Sequence, residues 1–279
     1  MDVAGSRLGF RGVEDLGGGM SATFGMEHRF NPASGADATG GVRFWQGYST
    51  VGLQGSFGHI RIGRDYTPNF LMVQNQIDPF GGDTQGALRG AGMLVGTASN
   101  KTGVNPATSA ISAVRNASMI EYHFSASGFN LGAQIAGGNE NKLTGGTMNS
   151  RAYSLAANYA AGPLFVAFGY ENGTDTDDKV WELGGRYNFG FATVSAGYSS
   201  GTSTTGVDLK GGLIGLNVPV GAGDFKLGYA KTSKNLANKW AIGYHYNLSK
   251  RTKLFTDYAR DSKALGPKTG YDFGIQHNF

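Results

Sequence analysis

Apolar side chains recur in this chain with a period of two almost from end to end, and helical periodicity is hard to find. At the C-terminus Tyr271, Phe273, Ile275 and Phe279 alternate with Asp272, Gly274, Gln276 and Asn278. Trp240, Ile242, Tyr244 and Tyr246 alternate with Ala241, Gly243, His245 and Asn247, and Leu164, Val166, Phe168 and Tyr170 form a third set. Successive side chains of a strand stand on opposite faces, so each set marks one apolar face. The other face identifies the surroundings. A soluble sandwich buries its apolar face and covers the outer one with Lys, Glu and Thr, whereas here the second set is Gly, Asn, Gln, Ala and a few Arg. Aromatic residues gather at strand ends, as in Tyr170, Tyr187, Tyr198 and Tyr229; Tyr and Trp rings favour a membrane–water boundary. The pattern suits strands with lipid on one side and water on the other. Such a sheet has to close, because an open edge in hydrocarbon leaves backbone groups unpaired.

Composition removes the competing classes. The 47 Gly residues have no three-residue period and Pro is scarce, which excludes collagen. With no Cys there is no disulfide scaffold, thiolate metal site or catalytic thiol. No stretch of about 18 apolar residues exists for a membrane helix. Met1–Ser6 lacks the basic start and apolar core of a signal peptide. The net charge of +4 is spread along the chain without a stripe suited to a phosphate backbone, so nucleic acid is not an expected partner.

Turns alternate in length. Short ones fall at 15–19, 57–58, 125–128, 161–163, 189–190, 219–223 and 248–251, and longer polar connections lie between them, the longest over 65–115. Short turns at one rim and long loops at the other are the layout of bacterial outer-membrane barrels. About fifteen strands are predicted. The first eight cover 6–13, 20–30, 43–56, 59–64, 116–124, 129–137, 151–160 and 164–171. The rest cover 179–188, 191–198, 207–218, 224–231, 239–247, 252–260 and 269–279. The first and last then run in the same direction and would meet in parallel. Antiparallel closure needs one more strand before Ser6, so a signal peptide and a first strand are expected upstream; an odd-stranded barrel with one parallel seam is the alternative.

Three stretches carry a family resemblance: 5–19 (GSRLGFRGVEDLGGG), 58–65 (GHIRIGRD) and 247–252 (NLSKRT), with weaker support from 186–190 (RYNFG) and the terminal His277-Asn278-Phe279. The chain resembles a general, non-specific porin of the Gram-negative outer membrane, of the β-proteobacterial type. The resemblance implies an all-β, transmembrane antiparallel barrel of the 16-stranded type, forming one domain over 1–279, in a homotrimer. It also implies that the third loop, 65–115, folds into the lumen as a constriction. The absent first strand is the departure from the family pattern. Phe279 matches the terminal aromatic that the outer-membrane insertion machinery reads in this family; a lipid-facing anchor explains it equally well.

A barrel of this width encloses water, so selectivity depends on what narrows it. Asp78-Pro79-Phe80-Gly81-Gly82-Asp83 is similar to the signature of the family's inward loop and places Asp78 and Asp83 at or near the constriction. An ordinary extracellular loop with two turn-forming Asp residues is the other reading. By alternation Arg7, Arg11, Arg61 and Arg115 face water, as do Glu121, Arg29, Arg186 and Lys226. Arg7 and Arg115 fall at positions similar to the family's basic cluster, while another of its positions is taken by Gly47 or Tyr48. Opposed Asp and Arg rows create a transverse field that biases ion choice without a binding step. Mild anion preference is expected; pairing of the Arg residues with Glu27, Glu121 or Glu182 would leave the pore unselective.

The expected function is passive diffusion of small hydrophilic solutes and ions across the outer membrane, without cofactor or metal. Outer-membrane lipid and lipopolysaccharide are the expected partners, the latter through Lys142, Lys234, Lys263 and Lys268. A specific sugar or phosphate channel is the competing reading, for which Phe165 and Phe255 have lumen parity. None of the five His residues lies in a nucleophile or metal motif, which argues against an outer-membrane enzyme. A purely structural or adhesive barrel would be packed solid only if much smaller. The run Asp175–Asp178 lacks the Gly and terminal Glu of a calcium loop and is expected to be solvated.

Overall fold

The computed structural model describes residues 5–37, 43–82, 84–94, 114–137, 151–173, 178–203 and 206–279. Within them fifteen strands form a single sheet in strict sequence order, every neighbouring pair antiparallel. They are β1 (Ser6–Gly17), β2 (Met20–Phe30), β3 (Tyr48–Gly55), β4 (Gly58–Tyr66), β5 (Arg115–Ala126), β6 (Phe129–Ala136), β7 (Ala152–Ala161) and β8 (Leu164–Asn172). The series continues with β9 (Lys179–Asn188), β10 (Thr193–Thr202), β11 (Asp208–Val220), β12 (Gly223–Thr232), β13 (Ala237–Asn247), β14 (Thr252–Asp261) and β15 (Thr269–His277). The edge strands β1 and β15 run in the same direction, as the predicted strand count required.

The strands follow the alternation, and the departures are local. β1 runs on to Gly17, so the turn expected at 15–19 shrinks to Gly18-Gly19. Gly17, Gly18 and Gly19 have φ of 80°, 60° and 77°, a region open to glycine, and Asp15 Oδ1 accepts the Gly17 N–H at 2.8 Å. β3 starts at Tyr48 instead of 43, since Phe44 and Trp45 leave the ladder and pack edge-on, Trp45 against Phe10 at 6.1 Å. β10 covers Thr193–Thr202 instead of 191–198, because its polar Ser199–Thr202 end still pairs with β9 and β11.

The apolar rows lie on the outer face and do not pack against one another: Leu8 is 50% exposed and Phe10 51%. Aromatic pairs sit near both ends of this face, Trp181–Tyr198 and Trp240–Tyr258 at one, Phe129–Tyr159 and Tyr187–Phe189 at the other. Trp240 and Tyr246 are six residues apart on one strand, roughly 20 Å. The dry core is instead on the inner face, between the wall and the segment 67–94. Phe70, Val73, Ile77, Phe80, Leu88 and Met93 pack there on small wall residues such as Ala156, Ala167, Ala230 and Ala241.

That inner segment reports the curvature of the sheet. It bonds to Ser154 on β7, Arg186 on β9, Ser199 on β10, Lys226 on β12, Lys239 on β13 and Asp272 on β15. A flat sheet of fifteen strands would be close to 70 Å wide, far beyond the reach of one short segment. The sheet therefore wraps around it.

Candidate pore constriction

The inner segment leaves β4 at Tyr66 and turns back along the wall. It forms a π-helical turn at Phe70–Gln74, then α1 (Asn75–Ile77), a loop, and α2 (Arg89–Gly92). Asp78 organises the loop. Its Oδ1 accepts the Phe80 N–H at 3.0 Å, and its Oδ2 accepts those of Leu88 and Arg89 at 2.7 and 2.9 Å. Gly81 N–H returns to the Asp78 carbonyl at 3.0 Å, with Gly81 and Gly82 at φ 69° and 75°. The Asp78 carboxylate is 5% exposed, its oxygens occupied within the loop. Asp83 lies outside the described residues, as do Lys142 and positions 175–177.

The wall holds this loop by its backbone carbonyls. Arg186 donates to Gln76 O at 2.7 Å, Lys226 Nζ to Pro79 O at 2.6 Å and Lys239 Nζ to Ala87 O at 2.7 Å. Thr232 Oγ1 donates to Ala91 O at 2.5 Å and Ser199 Oγ to Gly92 O at 3.0 Å. Asp272 supplies the reverse sense, accepting the Gln85 N–H at 2.8 Å. Glycines on the inner face make room. A Cβ on Gly184 would stand 2.9 Å from Ile77, and one on Gly215 2.6 Å from Pro79.

Where the inner segment leaves the wall lies a cluster of guanidinium groups. Arg7 and Arg29 are direct cross-strand partners. Arg29 pairs with Glu27 at 2.9 Å and donates to the Tyr66 hydroxyl. Arg115 covers the Tyr66 ring at 3.8 Å, Tyr66 stacks on Phe70 at 5.1 Å with planes 5° apart, and Arg89 covers Phe70 at 4.6 Å. Arg89 also donates to Asn75 Oδ1 at 2.6 Å. The result is a guanidinium–phenol–phenyl–guanidinium stack running from wall to loop, in which each cation faces an electron-rich ring.

Arg61 and Glu121 belong to a different group, nearer the short turns. They are cross-strand partners in direct ion contact, and Arg61 also holds Asp65 Oδ2 at 2.6 Å. Glu121 is fully buried, with Gln134 donating to its second oxygen. Arg11 pairs with Gly25 on the inner face and is exposed. Arg115 does not reach the lumen by simple alternation from Glu121. The register shifts between Gly63 and Asp65, and Ser118 has φ 50°, so Asn116 takes the expected slot and Arg115 folds over Tyr66. Phe165 and Phe255 are inward but buried, under Arg186 at 4.6 Å and against His245 at 5.8 Å, and offer no free stacking surface. Phe279 is fully exposed, edge-on to His277 at 4.7 Å. Among the described residues no group of three or more His, Asp or Glu could hold a metal ion.

Tyr66, Phe70, Arg89 and Lys239 join the site without being marked by any motif in the sequence. Lys239 was accessible by parity, since it alternates with Trp240. The stack was not, because it joins a strand end to a loop.

Comparison with known proteins agrees with this architecture. Outer membrane porin protein 32 of Delftia acidovorans is 32% identical over 312 residues, which cover 98% of this chain and 84% of that protein. An outer membrane porin protein of Bordetella pertussis is 28% identical, with 99% of this chain and 82% of that protein covered. The solved anion-selective porin from Comamonas acidovorans superposes with a TM-score of 0.76 at 29% identity, over 100% of this chain and 91% of that one. The family model described as Gram-negative porin matches residues 2–264. The chain belongs to the Gram-negative porin family: it is a β-barrel channel of the outer membrane and not an enzyme.

Proposed function

We propose that this porin passes small hydrophilic solutes and ions with a mild preference for anions, set by the guanidinium cluster around Tyr66. The observation that carries the reading is an imbalance. Arg7, Arg29 and Arg115 gather on one side, where Glu27 is the carboxylate bonded to Arg29. Asp78 on the loop side spends its oxygens on its own backbone amides. A guanidinium keeps its charge at any relevant pH, so the field across the gap is persistently positive. The solved relative described as anion-selective supports the same sign. In this reading the constriction is made by residues 65–115 of one single-domain barrel, three copies assemble, and exposed Lys234, Lys263 and Lys268 face lipopolysaccharide phosphates.

The test is the zero-current potential across a KCl gradient at neutral pH. Chloride preference supports the proposal, and potassium preference refutes it. Liposome swelling with sugars of graded size separates a size-limited pore from a sugar-specific one: rates that fall smoothly with size are expected.

A further inference from the structure

We infer that His59 and His123 form a second selectivity element of the lumen wall, one whose charge follows pH. The inference extends the anion-preference reading and rests on it for the direction in which selectivity moves.

The two imidazoles are direct cross-strand partners on β4 and β5, next to the Arg61–Glu121 pair on the same face. The His59 Nε2 and Thr23 Oγ1 are hydrogen-bonded at 3.0 Å. The His123 Nε2 touches Glu121 Oε1 and lies 3.0 Å from Arg61 Nη2. Glu121 Oε1 is also bonded to Arg61, so imidazole and guanidinium share one carboxylate oxygen. Around the pair stand Gly52 and Gln54 of β3, Gly132 and Gln134 of β6, and Pro68 and Met72 of the inward loop, none of them charged. Among the described residues the charged groups facing it are Arg61, Asp65 and Glu121, with Asp15 further along the same cross-strand row through Ser21 and Gln54.

Imidazole is the side chain that ordinarily changes charge between about pH 5 and 8. With both rings neutral, Asp65 and Glu121 outweigh Arg61, and the group carries one net negative charge. The His123 Nε2–H donates to Glu121 Oε1, the oxygen that Arg61 also holds. A proton on the pair cancels that net negative charge. The row therefore opposes the guanidinium cluster in alkali and no longer opposes it in acid.

The experiment is the zero-current potential of the reconstituted chain across a KCl gradient. It compares wild type, a His59→Gln/His123→Gln double variant, and His277→Gln, whose ring binds Thr252 at the barrel rim. Between about pH 8 and about pH 5.5 the chloride-to-potassium permeability ratio should rise about twofold in wild type and His277→Gln. The double variant should lack that rise. If it fails to insert, the single His123→Gln variant should keep only part of the step. A step that survives in the double variant, or its absence from wild type, overturns the inference. Potassium preference at both pH values with the step intact would instead refute the anion-preference reading and leave the His pair standing.

Discussion

The Arg115 guanidinium lies over the Tyr66 ring, 3.8 Å from its centroid, and joins wall strand to inward loop in one stack that continues through Phe70 to Arg89. Tyr66 also accepts a hydrogen bond from Arg29, so one phenol orders two like charges that would otherwise repel. Tyr66→Ala should let both swing apart and lower the chloride-to-potassium permeability ratio by about twofold. Tyr66→Phe keeps the ring and should retain most of the preference. Zero-current potentials of the two variants check this.

Lys226 and Lys239 reach under the loop to Pro79 O and Ala87 O, and Lys239 is only 3% exposed. Lys239→Met removes a charge-assisted hydrogen bond worth about 1–3 kcal/mol and leaves a buried carbonyl unpaired. The expected outcome is a looser loop, read as greater open-channel current noise and a lower unfolding temperature. Lys226→Met should do the same more weakly, because its head group is less enclosed.

Asp78 separates charge from scaffolding. Its carboxylate caps three amides of the loop. Asp78→Asn keeps an acceptor oxygen and should shift ion preference little, whereas Asp78→Ala should disorder the loop and change conductance. A large selectivity shift in Asp78→Asn with unchanged conductance would return Asp78 to a direct role in the field.

Inner-face glycines set how closely the loop can approach. Gly184→Val puts atoms where Ile77 sits, and Gly215→Val where Pro79 sits. Overpacking of this kind costs about 1–3 kcal/mol. Each substitution should push the loop off the wall and alter single-channel conductance, while Gly266→Val, with nothing near its Cβ position, should not move the loop.

The strands were legible because lipid and water make opposite demands on alternate residues, as Trp240 to Tyr246 illustrates. Lumen parity was equally readable for Arg7, Arg11, Arg61 and Glu121. Arg115, also expected to face the lumen, stands with Arg29 at Tyr66, but parity with Glu121 does not carry that far, because a bulge at Gly63–Asp65 and the positive φ of Ser118 interrupt the period, and neither has a signature in side-chain hydrophobicity. The glycine trough has no such signature either. Gly184 and Gly215 look like strand weakeners until Ile77 and Pro79, far away in sequence, are placed on them. The loop's motif marked Asp78, but a carboxylate can face water or cap its own backbone, and only geometry decides.

The outer face of the strands meets lipid, and the inner face meets the lumen and the segment folded into it. Because the chain has no Cys, single cysteines can be placed without background. A membrane-impermeant thiol reagent should modify Arg7→Cys and Arg11→Cys in the reconstituted protein and reduce conductance, and should leave Leu8→Cys and Phe10→Cys unmodified. Equal labelling at all four positions, or labelling of 8 and 10 alone, would rule out a water-facing inner row and a lipid-facing outer row.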